Sequence, residues 1–116
     1  MSTDPAINRD ELLQRVDNDL ELLRDLVDLF LDDLEERLDG IDDAFKQDNI
    51  DLLHERAHAL KGSVANFSAS AALQAAARVN EIARNGRRTG LEKAVQALNA
   101  EMKRVRTELE QIAGST

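Results

Sequence analysis

The sequence predicts an all-α fold, an antiparallel up-down four-helix bundle with a short extra helix at its N-terminal side. Apolar residues recur at spacings of three and four through four long segments, which is the period of an amphipathic helix. Short connections between these segments place neighbouring helices antiparallel. Aromatic residues make up only 3% of the chain, so the core is built from Leu, Val, Ile and Ala, as in helix-on-helix packing.

The first predicted element is a short helix that follows a polar leader. Residues 1–7 are polar and contain the only proline, which favours a flexible leader. Asn8 followed by Glu11 resembles a capping box, after which an apolar side begins. We therefore place the bundle domain at residues 8–113, with the first helix contributing Leu12, Leu13 and Val16 to its core.

The second predicted helix is the longest and runs from about Asn18 to Lys46. Its apolar stripe keeps helical spacing on both sides of Gly40, so we predict one continuous helix with a weak point at that glycine. The stripe consists of Leu23, Val27, Phe30, Leu34, Leu38, Ile41 and Phe45.

The third predicted helix is capped by Asp48 or Asn49 and ends near Phe67. Its stripe consists of Leu53, Ala57, Leu60, Val64 and Phe67.

Two further helices complete the bundle. Ser68 or Ser70 is predicted to cap the fourth, which Asn85–Gly86 ends, and Thr89 with Glu92 forms a second capping box for the fifth. Their stripes are Ala72, Ala76, Val79 and Ile82 in the fourth helix, and Leu91, Val95, Leu98, Met102, Val105, Leu109 and Ile112 in the fifth.

Composition excludes several classes of function. The net charge of −8 argues against binding to nucleic acid or an anionic membrane, so we expect a protein partner. The absence of cysteine removes disulfides, thiolate nucleophiles and zinc-thiolate sites. No apolar run reaches the ~18 residues of a membrane span, and the N-terminus lacks the regions of a secretory signal, so we expect a cytoplasmic location.

The third helix carries a histidine outside its apolar stripe. At roughly 100° per residue, His58 lies about 140° from the centre of the stripe. Lys61, Gly62, Ala65 and His54 lie around the same direction. This helix face therefore presents an imidazole to water, with an ammonium group beside it and little bulk around it.

Gly62 supports a functional interpretation of that face. Glycine inside a helix costs roughly 1 kcal/mol relative to alanine, so another requirement must favour it here. At i+4 from His58, its missing side chain opens an approach path to the imidazole for a second molecule, and Ala65 extends the clearing.

These residues carry a resemblance to a known family. His58-x-x-Lys61-Gly62, with Ala57 and Leu53 before it and Ser63, Asn66, Phe67 and Ala69 after it, resembles the signature of histidine-containing phosphotransfer (HPt) domains. The segment 19–38 is similar to the long helix that precedes the histidine helix in that family. Ser68 departs from the pattern, because the family more often has glycine at that helix end.

The resemblance implies a phosphorelay carrier in two-component signalling. His58 would accept a phosphoryl group, on Nε2, from the aspartyl phosphate of a response-regulator receiver domain and pass it to another receiver aspartate. Lys61 would stabilise the charge of the phosphoryl group, and His54 would be a rim residue in docking. The partners would be receiver domains, some of them in a hybrid histidine kinase, and we expect the carrier itself to be a monomer.

The chain lacks the motifs of a kinase. It has no glycine-rich nucleotide loop, no Walker lysine motif and no group of acidic residues that would obviously hold Mg²⁺ near His58. We therefore expect no enzyme activity of its own and no bound cofactor, and we expect the partner receiver domain to supply Mg²⁺.

Two polar residues of the fourth helix are candidates to support the histidine. Asn80 and Arg84 lie four residues apart on one face, where similar domains place a polar residue close to the ring. This assignment depends on spacing and resemblance alone.

Three alternatives compete with the carrier. The chain could be a non-phosphorylated helical adaptor that binds a receiver or kinase, although an adaptor has no need of both Lys61 and Gly62. It could be the dimerisation domain of a histidine kinase, but the catalytic acid and the proline-containing helix of that family are missing. His54 and His58, at i and i+4, could bind zinc, but no further His or Cys exists as a third ligand, so we predict no metal site.

Overall fold

The chain folds into five α-helices, in a computed structural model that describes residues 5–114. They are α1 (Arg9–Arg15), α2 (Leu20–Lys46), α3 (Ile50–Ala65), α4 (Ser70–Arg84) and α5 (Leu91–Gly114). The long helices form a closed ring of contacts, in which α2 packs on α3, α3 on α4, α4 on α5 and α5 on α2. The described residues contain no strand, and the predicted all-α bundle with a short N-terminal helix is confirmed.

Apolar stripes of the four long helices meet in one core. Every stripe residue predicted for α3 is buried, and α5 buries its whole stripe except Ile112, which is partly exposed. In α2 the residues Leu38 and Phe45 are likewise only partly buried. Phe30 and Phe67 pack together with ring centroids 4.7 Å apart, joining α2 to the end of α3. Alanines between the larger residues allow α3, α4 and α5 to approach closely.

The residues just before α1 are already part of the packed core. Ala6 and Ile7 are buried, and their backbone N–H groups donate to the Glu108 carboxylate of α5, at 2.5 and 3.1 Å. The leader predicted at residues 1–7 therefore overlaps two packed residues, since Ile7 is apolar enough to enter the core. Residues 1–4 of that leader lie outside the described part of the chain.

Helix α1 has half of the predicted capping box. The Asn8 side chain accepts a hydrogen bond from the backbone N–H of Glu11 at 3.1 Å, as predicted. The return bond from Glu11 is replaced by tertiary contacts, because the Asn8 N–H donates to the carbonyl of Ser68, and the Ser68 hydroxyl donates to the Glu11 carboxylate. Thus α1 is fixed to the turn between α3 and α4.

Helix α2 is continuous through Gly40, as predicted, but it begins two residues later than expected. Asp17 and Asn18 both have positive φ, of 52° and 60°, so the helix cannot include them. Asp19 caps it instead, accepting from the N–H of Leu22 at 3.0 Å.

The turn from α2 to α3 uses one of the two proposed caps. Asn49 accepts a hydrogen bond from the N–H of Leu52, whereas Asp48 has a φ of 57° and faces the loop before α5. There Arg88 donates two hydrogen bonds to the Asp48 carboxylate, at 2.8 and 2.6 Å. These hydrogen bonds, with the charge of Arg88, lower the pKa of Asp48 below its ordinary value.

The start of α4 differs from the prediction. Its N-cap is Ala69, which offers no side-chain hydrogen bond, and Ser70 is already helical. Ser68 has a φ of 54°, so its hydroxyl turns to Glu11 instead of capping α4. The end of α4 is as predicted, since Asn85 is the C-cap and Gly86 takes a positive φ of 68°.

The predicted capping box of α5 is wrong. Gly90 precedes the first helical residue, with a φ of 81°, and its carbonyl accepts from the N–H of Ala94. Because Thr89 stands one position too early, its hydroxyl is not at the cap.

Within residues 5–114, none of the helices has the length and apolar character needed to cross a lipid bilayer.

Candidate functional site

His58 lies in the middle of α3 and points away from the core. The neighbours Ala57 and Leu60 are fully buried, which fixes the helix rotation and leaves His58 exposed to solvent. Lys61, one turn further along, is half-buried. Its aliphatic stem can therefore pack on the bundle while the ammonium group reaches water.

Open space surrounds the imidazole on the side of Gly62. A Cβ atom built at Gly62 would have no heavy atom within 4 Å apart from its immediate surroundings in the helix. Its φ is not positive, so neither backbone conformation nor packing requires glycine there. Ala65 adds only a small, half-buried side chain.

The second histidine stands beside the first. The rings of His54 and His58 are parallel within 3°, with centroids 6.3 Å apart, and His54 is the more buried of the two. Within the described residues, no hydrogen bond or ion pair involves the side chains of His54, His58 or Lys61. The donor and acceptor atoms of all three side chains are thus available to another molecule.

Asn80 and Arg84 lie on α4, the helix packed most extensively on α3. The side-chain oxygen of Asn80 is buried and has no hydrogen-bond partner among residues 5–114, which is an uncommon state for a buried polar atom. Arg84 is exposed and is the last residue of the helix. No hydrogen bond joins Asn80 to His58, so their predicted association stays a prediction.

An apolar groove that was not predicted from the sequence lies between α1, α2 and the C-terminal end of α3. Leu26 and Leu29 line it with 40% and 65% of their surfaces exposed. Leu22, Leu26 and Leu29 form a second apolar line at i, i+4 and i+7 on α2, so this signal was present in the sequence. We call it the α1–α2–α3 groove; it is lined by Leu12, Arg15, Val16, Leu23, Leu26, Leu29, Phe30, Asp33, Arg37, Ser63, Asn66 and Phe67.

The groove and the imidazole share one side of α3. Around the helix axis, Gly62 lies about 40° from His58 and Asn66 about 80°, in the same direction. Since Asn66 lines the groove, the open space at Gly62 separates the groove from the imidazole.

No cluster of three or more His, Cys, Asp or Glu side chains that could hold a metal ion occurs among residues 5–114. Among those residues, no third such side chain lies close enough to His54 and His58 to complete the three-ligand site of a zinc hydrolase.

Comparison with known proteins identifies the family. The model of the Hpt domain matches residues 25–111, which include most of α2 and all of α3 and α4. The chain belongs to the Hpt domain family. No curated protein and no solved structure gives a significant match.

As an Hpt domain, the chain has a role in histidine phosphotransfer within phosphorelays, and its interactions are with receiver domains and kinases. Domains of this family carry phosphoryl groups without a kinase activity of their own. The match begins at Asp25, so α1 and the packed residues before it lie outside the matched region.

Proposed function

We propose that the domain relays phosphoryl groups between receiver domains through His58. The aspartyl phosphate of one receiver is the donor, and the aspartate of another is the recipient. The observation that carries the proposal is an exposed imidazole with open space beside it, on a chain of the Hpt family.

The transfer requires one nucleophilic nitrogen and no base from this chain. Neutral imidazole has one nitrogen with a free lone pair, and we assign this role to Nε2 of His58. It attacks phosphorus, the P–N bond forms, and the P–O bond to the donor aspartate breaks, releasing its carboxylate. The proton on Nδ1 stays in place. The second transfer is the reverse reaction with the carboxylate of another receiver.

Lys61 stabilises the charge that moves with the phosphoryl group. Phosphoryl transfer has a loose transition state with charge on the equatorial oxygens, so a nearby ammonium group lowers its energy. Lys61 lies three residues from His58, on the same side of α3, and has no ion-pair partner among the described residues. The receiver brings Mg²⁺ and the remaining catalytic groups.

The α1–α2–α3 groove is the proposed docking surface for the receiver. Its exposed leucines provide apolar area that the isolated chain leaves in water, and exposed apolar patches are typical of interaction sites. A receiver seated there reaches His58 across Gly62 and Ala65, where no bulky side chain intervenes, and His54 lies on the rim.

Asn80 and Arg84 are proposed as supporting residues. The unpaired oxygen of Asn80 is a hydrogen-bond acceptor on the helix adjacent to His58, suitable for Nδ1–H. Arg84 adds a cation at the end of the same helix.

The test is transfer of labelled phosphate from a phosphorylated receiver to the chain. We expect acid-labile, base-stable label on the wild-type chain and none on His58→Gln. The matched control is His54→Gln, which removes the other imidazole one turn away and keeps the acceptor.

Label that persists in His58→Gln would contradict the assignment of the acceptor. Binding of receivers without any label on the wild-type chain would support the adaptor instead.

A further inference from the structure

We propose that His54 and His58 together bind a divalent transition-metal ion, Zn²⁺ or Cu²⁺, and that the bound ion prevents phosphorylation of His58. The first part concerns the chain alone and departs from the prediction of no metal site, which was made for a site with three protein ligands. The second part rests on the proposed function and makes the metal an inhibitor of the relay.

The two imidazoles are spaced as a chelating pair. They are four residues apart on α3, a rise of about 6 Å along the axis, and their centroids are 6.3 Å apart. Histidines at i and i+4 on one helix face are a recurring pair of metal ligands. Neither ring has a hydrogen-bond partner among residues 5–114, so metal binding breaks no such contact.

The rings must turn before both can coordinate one ion. Coordination uses a lone pair in the ring plane, and parallel rings direct their lone pairs side by side. His58 is exposed, so its ring can turn towards His54 by a change of rotamer. Because His54 is half-buried, its ring can adopt fewer orientations than that of His58. His54 therefore sets the position of the ion.

The ligand set selects the class of metal. Imidazole nitrogen suits Zn²⁺ and Cu²⁺, whereas Mg²⁺ prefers oxygen ligands. With no third protein ligand among the described residues, water completes the coordination, so binding is reversible. The net charge of −8 raises the local concentration of cations around the chain.

Metal binding and phosphorylation exclude each other at His58. The metal and the phosphorus both need the lone pair of an imidazole nitrogen, and the site requires both rings. A metal on Nε2 blocks the nucleophile directly. A metal on Nδ1 leaves the proton of the neutral ring on Nε2, so the nitrogen that would attack phosphorus has no free lone pair. By linkage, phosphorylation weakens metal binding by the same factor as the metal weakens phosphorylation.

The direct test is calorimetric titration of the untagged chain with Zn²⁺ and with Cu²⁺, with Mg²⁺ as the control ion. We expect one ion per chain and shifts of both histidine rings in NMR spectra. His54→Gln and His58→Gln should each lower the affinity roughly tenfold or more, because each leaves a single ligand. Equal affinity in His54→Gln and wild type overturns the proposal, as does binding of Mg²⁺ with equal strength.

The functional test compares label uptake with and without Zn²⁺, each variant against its own metal-free rate. Zn²⁺ should slow label uptake by the wild type, and EDTA equimolar to the added Zn²⁺, which leaves Mg²⁺ in excess, should restore it. His54→Gln should lose this zinc-dependent slowing. Any effect of Zn²⁺ on the receiver itself is common to both chains. If Zn²⁺ slows label uptake equally in the wild type and in His54→Gln, the proposed inhibition by a metal bound to the two histidines is wrong. Failure of the relay would instead appear as absence of label without metal, which leaves the titration result unaffected.

Discussion

Gly40 and Gly62 both lie inside helices, where glycine destabilises by roughly 1 kcal/mol relative to alanine. A Cβ at Gly40 would lie 3.0 Å from the Cδ and Nη1 atoms of Arg56, which crosses α2 at that point. Gly40 thus leaves room for the exposed Arg56 side chain, which would have to move by a few tenths of an ångström to admit a Cβ. At Gly62 the same Cβ would meet open space, so only the approach of another molecule to His58 gives a reason for glycine there.

Substitution at Gly62 should therefore separate stability from function. Gly62→Ala should raise the free energy of unfolding by about 1 kcal/mol, because helix propensity improves and nothing clashes. Gly62→Leu should fold equally well but slow phosphotransfer about tenfold or more, since its side chain stands beside the imidazole. Urea unfolding and transfer from a phosphorylated receiver measure the two effects. Wild-type transfer by Gly62→Leu would remove the argument for an access path.

For the helices, the sequence predicted the features that follow from the spacing of apolar residues. The stripes of α2 to α5 fixed the helices and their buried faces, and His58 stood out because it lies off its stripe. The α1–α2–α3 groove was missed because α2 carries a second apolar line, whose burial or exposure depends on where α1 packs.

Helix caps were predicted less well, because the choice between adjacent polar residues depends on tertiary contacts. Ser68 shows this, since its hydroxyl bonds to Glu11, 57 positions away in the chain. Asn8 and Asn49 cap as predicted because their partners are local. The role of Asn80 stays a prediction, as spacing alone cannot place a side-chain amide against a ring.

The turn between α3 and α4 provides a prediction on stability. Ser68 has a φ of 54°, a conformation that costs residues with a Cβ on the order of 1 kcal/mol and that glycine adopts freely. Ser68→Gly should therefore be more stable than Ser68→Ala by about 1 kcal/mol. Both variants lose the hydroxyl group, so the difference between their stabilities measures the cost of the positive φ at position 68. Equal midpoints of urea unfolding for the two variants would show that the turn is unstrained.

For the whole molecule, the residues before α1 connect parts that are distant in sequence. The N–H groups of Ala6 and Ile7 donate to Glu108 of α5, and the N–H of Asn8 donates to the carbonyl of Ser68. Arg9, the first residue of α1, donates to Gln111 at 3.2 Å. This segment thereby fixes α1 against both α5 and the α3–α4 turn. Since α1 contributes one wall of the α1–α2–α3 groove, the segment also maintains the proposed docking surface.

Ile7→Ala tests whether the residues before α1 unfold cooperatively with the rest of the bundle. Ile7 is 1% exposed, and truncation of a buried isoleucine to alanine costs about 2 kcal/mol or more. In a domain of this size the melting temperature should fall by roughly 10 °C. Leu20→Ala is the matched control, because Leu20 is 54% exposed and its truncation should change the free energy by less than about 0.5 kcal/mol.

The two variants should also differ in receiver binding at a temperature where both are folded. Loss of Ile7 loosens α1 and with it one wall of the groove, so the affinity for a receiver should fall in Ile7→Ala more than in Leu20→Ala. If the melting temperatures of the two variants agree within 2–3 °C, roughly the shift that 0.5 kcal/mol produces, the segment frays independently of the bundle. In that case the segment does not hold α1, and the groove depends on the contacts of α1 itself, such as the hydrogen bond between Ser68 and Glu11.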